Sequence, residues 1–265
     1  MKIGFIGCGN MGGALIKAAA KSIDAKDIYV YDRCREKADA LENSIGVVSS
    51  DEEKIITNAK YIFLGVKPQV LKEAVEEIRD TIKDRKDRFV IVSMAAGVEI
   101  STITSYFGFD LPIIRIMPNT PVSVGEGMIL YAANNFVSDG EKEEFLQILS
   151  NAGRLDYLPE NLIDAGCALS GCGPAFVDLF IEALSDAGVK CGLPRDKALL
   201  YAAQTLLGAS KLMIETNSHP AVLKDAVCSP GGSTIAGVDA LETNGFRGDV
   251  MAAVCASFEK TKELG

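Results

Sequence analysis

Three glycines spaced Gly7-x-Gly9-x-x-Gly12 follow the apolar run "KIGFIG" and open a stretch of helical periodicity. Bare backbone at a strand-to-helix turn allows a tight bend and brings a pyrophosphate close to the positive end of the helix. Asp32 lies about 20 residues beyond Gly12 (32 − 12 = 20), at the end of the run "DIYVYD", where a carboxylate suits a ribose 2′-hydroxyl. Arg33 and Arg35 beside it carry guanidiniums that suit a 2′-phosphate instead. These residues point to a dinucleotide and leave its phosphorylation state open. A second cluster stands at "AVCSPGGSTIAG" (226–237), where a Pro-Gly-Gly turn precedes a helix start. The amides of Gly231, Gly232 and Ser233 suit an anion at a helix N-terminus, whereas Ser233 or Thr234 would equally cap that helix.

These groups need elements to hold them. "KIGFIG" (2–7), "DIYVYD" (27–32), "YIFLGV" (61–66), "FVIVSM" (89–94) and "PIIRIM" (112–117) are apolar runs of strand length. The segments 10–21, a stretch from about Arg35, and 69–83 read as helices, the last placing Val70, Leu71, Val75, Ile78 and Ile82 on one face. Strands buried on both faces and joined by helices imply a parallel α/β sheet, which "GMILYAA" (127–133) and "RLDYL" (154–158) would extend across a helix at 139–151. "GVKPQ" (65–69), "SMAAG" (93–97) and "MPNTP" (117–121) then fall at the carboxyl edge of that sheet, where open α/β folds bind ligands.

Beyond about 160 the strand patterns stop and Ala, Leu and Gly fill long helical periods, predicted at 174–188, from Pro194 to 216, 233–243 and 246–263. The fold class is therefore α/β, with a Rossmann-type doubly wound domain over 1–160 and an all-helical domain over 161–265. Apolar helices with little polar cover imply a homo-oligomer through the second half.

A net charge of −9 argues against a nucleic-acid partner. No run reads as long enough to span a membrane, and glycines 7, 9, 12 and 13 break what would otherwise imitate a signal peptide. Seven cysteines without a disulfide-like framework suggest reduced thiols and a cytoplasmic protein. No Cys/His cluster has metal-ligand spacing. One histidine, His219 ahead of Pro220, leaves a His-dependent hydrolase or dehydrogenase little to work with.

The glycine fingerprint, "GVKPQ", "SMAAG", "MPNTP", "LSGCGPAF" (169–176) and "DAVCSPGGSTIAGVDALE" (225–242) occur in this order. Together they resemble the pyrroline-5-carboxylate reductase family across nearly the whole chain, with the last segment the most specific. The resemblance implies reduction of 1-pyrroline-5-carboxylate to L-proline with NADP(H), NAD(H) remaining the alternative. It implies cofactor contacts from Ile6, Gly7, Gly9, Asn10, Met11, Gly12, Asp32, Arg33, Val66, Lys67, Pro68, Met94, Ala96 and Asn119. It places the substrate at Glu160, Gly231, Gly232, Ser233 and Thr234, with the Thr234 hydroxyl at the ring nitrogen as the catalytic group, and no metal. "LSGCGPAF" would open a dimerisation helix, and larger rings of dimers are a family habit. Ala226 stands where several relatives have a cofactor-contacting Asn, and Asn217 where some carry an acid. Two alternatives stand: a reductase of another cyclic imine or a β-hydroxy acid, with Lys190 or Lys211 as catalyst, and a dinucleotide-binding protein without chemistry.

Overall fold

In a computed structural model, which describes residues 1–263, strands and helices alternate through the first part of the chain. They run β1 (Ile3–Ile6), α1 (Asn10–Ala19), β2 (Ile28–Tyr31), α2 (Arg35–Ile45), β3 (Val48–Ser49), α3 (Glu52–Asn58), β4 (Tyr61–Leu64) and α4 (Pro68–Asp84). β5 (Val90–Ser93), α5 (Ile100–Phe107), β6 (Ile113–Met117), β7 (Gly127–Ala133), α6 (Asp139–Ile148) and β8 (Gly153–Tyr157) complete the sheet. The strand order is β3-β2-β1-β4-β5-β6-β7-β8. β1, β4 and β5 are buried along their whole length, as parallel strands covered by helices on both faces must be. Phe5 and Phe63 stack 4.3 Å apart on adjacent strands and tie β1 to β4 within the core.

The sheet departs from the all-parallel expectation at one pairing. β7 runs antiparallel to β6, and β8 is parallel to β7. The reason is the short connection 118–126, which is too brief for a crossover helix and turns the chain back through Thr120–Val124. Among the described residues, four helices and one strand escape the periodicity reading: α3, α5, two later short helices and β3 are eight residues long or less. Within α4, Leu71, Val75, Ile78 and Ile82 are buried as predicted, but Val70 is only half-buried and faces a cleft instead.

The remaining helices are α7 (Ile163–Gly166), a wider turn over Cys167–Gly171, α8 (Gly173–Lys190), α9 (Arg195–Thr216), α10 (Pro220–Ala226), α11 (Ser233–Thr243) and α12 (Phe246–Lys262). Packing divides the chain into two units. One comprises residues 1–172 with the end of α12 from Ser257, and the other is Gly173–Ala256. The boundary read at 160/161 thus falls ahead of the division in packing, because Ile163, Cys167 and Ala168 are buried in the sheet unit. The last two residues of the predicted 161–265 domain lie outside the described residues.

In the second unit α8 and α9 pack closely, and a Cβ on Gly188 would stand 3.2 Å from the Ala198 Cβ. Ser185, Ala198 and Ala202 are buried there. Leu200, Leu207 and Ile214, recurring every seventh residue of α9, are each more than half exposed. By length and composition the stretch Glu160–Lys190 is apolar enough to cross a membrane, which corrects the expectation that none would be.

Candidate cofactor and substrate sites

The chain leaves β1 for β2 on one side and returns to β4 on the other, so the β1/β4 edge is the switch point of the sheet. There the backbones after the two strands abut. Gly7 has φ +107°, and a Cβ on it would stand 2.5 Å from the Gly65 carbonyl oxygen. A Cβ at Gly12 would stand 2.2 Å from the Gly7 oxygen, so α1 starts hard against the turn. A Cβ at Gly9 would meet nothing within 4 Å. The glycines thus do three jobs: a left-handed turn, an open approach, and close helix packing. Gly9 is the α1 N-cap without a side-chain cap, and the amides of Asn10, Met11 and Gly12 make no hydrogen bond among the described residues. This arrangement fits a pyrophosphate.

Ile6, Gly7, Gly9, Asp32, Arg33, Val66 and Lys67 line one cleft of about 370 Å³ at this edge. Lys67 is the N-cap of α4 and Pro68 its first residue, so the proline preorganises the helix start. Met94 reaches the same edge, its sulfur 3.5 Å from where a Gly65 Cβ would be. Ala96 lies in the half-buried turn after β5. Asn10, Met11, Gly12, Pro68, Met94, Ala96 and Asn119 do not line the cleft. Asn119 is buried and already engaged: its side-chain amide donates to the Ser170 carbonyl at 2.9 Å and its oxygen accepts from the Met128 amide at 2.8 Å.

The Asp32 carboxylate is also engaged. One oxygen accepts from the Cys8 amide at 2.7 Å and the other from the Cys34 amide at 2.9 Å, so it pins the glycine loop to the start of α2. Its role within the fold is architectural. Burial, with Asp32 beside it, pushes the Cys8 thiol up to about 12, leaving it unreactive at neutral pH. Arg33 reaches across the cleft to Glu73 and Glu77 on α4.

Glu160, read as a substrate group, is turned to the sheet. Its carboxylate accepts from the Ile100 amide at 2.6 Å and sits 3.5 Å from the Arg115 guanidinium. Arg115 is 2% exposed on β6 and also donates to Asp164 at 2.5 Å, so two carboxylates compensate one buried cation. Within the first unit Glu160 therefore links α5 to β6.

The Pro-Gly-Gly segment belongs to the second unit. The Gly232 amide donates to the Ser229 carbonyl at 3.0 Å around Pro230 and Gly231, whose φ is +67°. Proline followed by a left-handed glycine is the pattern of a type II turn. Gly232 is then the N-cap of α11, and no side chain caps this helix. The hydroxyls of Ser233 and Thr234 are exposed and make no hydrogen bond among the described residues. The capping alternative is thus absent here, while the amides of Gly231, Ser233 and Thr234 stay unengaged. One amide of the predicted trio is corrected: Gly232 spends its N–H on the turn.

Elsewhere in that unit His219 caps α10, its Nδ1 accepting from the Ala221 amide at 3.2 Å. Asn217 ends α9 at φ +50°, a conformation asparagine tolerates better than most side chains. Lys211 is exposed and faces Glu215 at 3.7 Å.

Sequence reasoning missed several cleft residues: Tyr31, Lys37, Glu52, Gly65, Val70, Ala74 and Glu77. The signal available was the spacing of Val70, Ala74 and Glu77, one stripe running along α4 from Lys67. Their apolar members were indistinguishable from core until the neighbouring wall was known.

Residues 160–264 match the family model described as pyrroline-5-carboxylate reductase dimerisation. Residues 2–97 match the one described as NADP oxidoreductase, coenzyme F420-dependent. The Escherichia coli K12 pyrroline-5-carboxylate reductase is 39% identical over 99% of this chain and 98% of its own. The crystal structure of a Coxiella burnetii pyrroline-5-carboxylate reductase superposes with TM-score 0.92 at 34% identity, covering 100% of this chain and 98% of that one. That of the Plasmodium falciparum pyrroline carboxylate reductase, with NADP bound, gives 0.89 at 33% identity and the same coverage. With both halves of the molecule matched and the likeness running end to end, the chain belongs to the pyrroline-5-carboxylate reductase family.

Proposed function

We propose that this protein reduces 1-pyrroline-5-carboxylate to L-proline with NADPH. The observation that carries the substrate half is the start of α11, where a glycine N-cap leaves the Gly231, Ser233 and Thr234 amides and two hydroxyls without partners. Amides at a positive helix end hold a carboxylate, and a short cyclic acid presents one. The Thr234 hydroxyl then meets the ring nitrogen. It is too weak an acid to protonate an imine alone, so it accepts the N–H of the bound iminium or passes a proton from water. Holding the ring in one orientation is the main contribution of these residues.

The residues of the β1/β4 cleft suit the nucleotide, with the α1 amides at its pyrophosphate and Val66, Val70 and Ala74 along its adenosine. Bound there, the dinucleotide supplies the hydride that the C=N carbon receives. Asp32 and Asn119 act as supports for the loops that enclose it. Glu160 is assigned no substrate contact in this reading.

We infer further that the second unit mediates a homodimer, supported by the exposed stripe on α9 and by the family's dimerisation model over 160–264. Rings of such dimers are an extension of the same proposal. Seven unbridged cysteines are compatible with a reducing cytoplasm.

The test is oxidation of NADPH and of NADH, side by side, with pyrroline-5-carboxylate as acceptor. Turnover is expected with both, faster with NADPH. Absence of turnover with either would end this reading, and turnover with a β-hydroxy acid instead would replace it.

A further inference from the structure

We propose that Glu73 and Glu77 set the dinucleotide preference of this enzyme by competing with a 2′-phosphate for the Arg33 guanidinium. The inference rests on the cofactor reading above and concerns the same cleft. One terminal nitrogen of Arg33 lies 3.3 Å from a Glu73 oxygen and 3.1 and 3.2 Å from the two oxygens of Glu77. The two glutamates stand one turn apart on α4, where like charges repel unless a cation bridges them. A third carboxylate, Glu52 of α3, lines the same cleft, and burial beside Glu77 raises its pKa.

The other cations of this loop are opposed as well. Lys37 stands 3.6 Å from Asp32, and Arg35 stands 3.7 Å from Asp39. A nucleotide ending in a ribose hydroxyl needs none of them. One carrying a phosphate there recruits a cation of this loop only by taking it from a carboxylate, and Arg33 is the one shared by two. All three side chains of the clamp are about half exposed or more, so the hold is weak and can be exchanged.

Calorimetric titration with 2′,5′-ADP and with 5′-AMP reads the clamp without turnover. Glu73→Gln combined with Glu77→Gln is expected to tighten 2′,5′-ADP by about threefold to tenfold and to change 5′-AMP by less than about twofold. In an Arg33→Gln background, the same pair of changes should have no effect on 2′,5′-ADP. Unchanged or weaker 2′,5′-ADP binding in the double variant overturns the proposal. So does a gain that persists without Arg33, which would mean direct repulsion of the phosphate. Glu77→Gln alone gives the same reading should the double variant fold poorly. If the unaltered protein binds neither probe, the cofactor reading itself fails, and the clamp falls with it.

Discussion

Two helices in this molecule begin in the same way, α1 in the sheet unit and α11 in the helical unit. Each has a glycine at its N-cap, no side-chain cap, and first-turn amides without partners. Their surroundings differ. The turn before α1 is wedged against the loop after β4, and a methyl group at Gly7 or Gly12 would collide with backbone. The turn before α11 is exposed on its own unit, and a Cβ at Gly231 would meet nothing within 4 Å. The first helix start is shaped by a core that surrounds it, whereas the second is shaped by its own turn, with Gly231 supplying the positive φ. A site of the first kind breaks through packing and one of the second through its backbone or its hydroxyls.

The largest effect that would sharpen this contrast concerns the exposed stripe of the helical unit. Leu207→Asp should weaken self-association about 100-fold or more, read by sedimentation at micromolar concentration, since a charge would be buried without a partner. An unchanged oligomer would move the interface elsewhere. Thr234→Ala should lower kcat by about 10- to 100-fold while the thermal midpoint stays put, because its hydroxyl holds nothing in the fold. An unchanged kcat removes Thr234 from the chemistry.

Gly12→Ala tests the other side. Its methyl would land 2.2 Å from the Gly7 oxygen, so stability should drop by about 1–3 kcal/mol and NADPH binding should weaken about tenfold. Binding and stability that both survive would show that α1 can move away. The smallest effect concerns the start of α6. Glu141 caps α6 with Ser138 and binds Arg88, which hold its carboxyl down to about 2 against an ordinary 4.5. Its folded value lies below the unfolded one, so its contribution is complete above about pH 4.5 and disappears as pH falls toward 2. Glu141→Gln should cost about 1–2 kcal/mol at neutral pH, with the two melting curves converging in acid.

Much of the first unit was legible because its strands are apolar on both faces and its turns carry glycines at fixed spacing. The elements that escaped are short. α3 has seven residues, and its two buried isoleucines, Ile55 and Ile56, are adjacent and show no period. The sense of β7 also escaped, since an apolar strand reads alike in either direction. Asp32, Asn119 and Glu160 were read as polar groups that would face ligands, but each also has a backbone partner well removed in sequence: the Cys8 amide, the Ser170 carbonyl and the Ile100 amide. Nothing in sequence spacing reveals whether a carboxylate is already satisfied.

By itself the amino-acid sequence determined the alternation of strand and helix, the bare amides at two helix starts, and the kinship these patterns carry. Such features are local: they follow from residue size, backbone freedom and hydrophobic period within a few turns of chain. Tertiary structure alone decided which polar groups remain available. Asp32 is engaged by Cys8 and Cys34, Glu160 by Ile100 and Arg115, and Arg33 by two glutamates, while the Thr234 hydroxyl is left over among the described residues. Hydrogen bonds and ion pairs form through space, so their allocation exists only once distant segments have met.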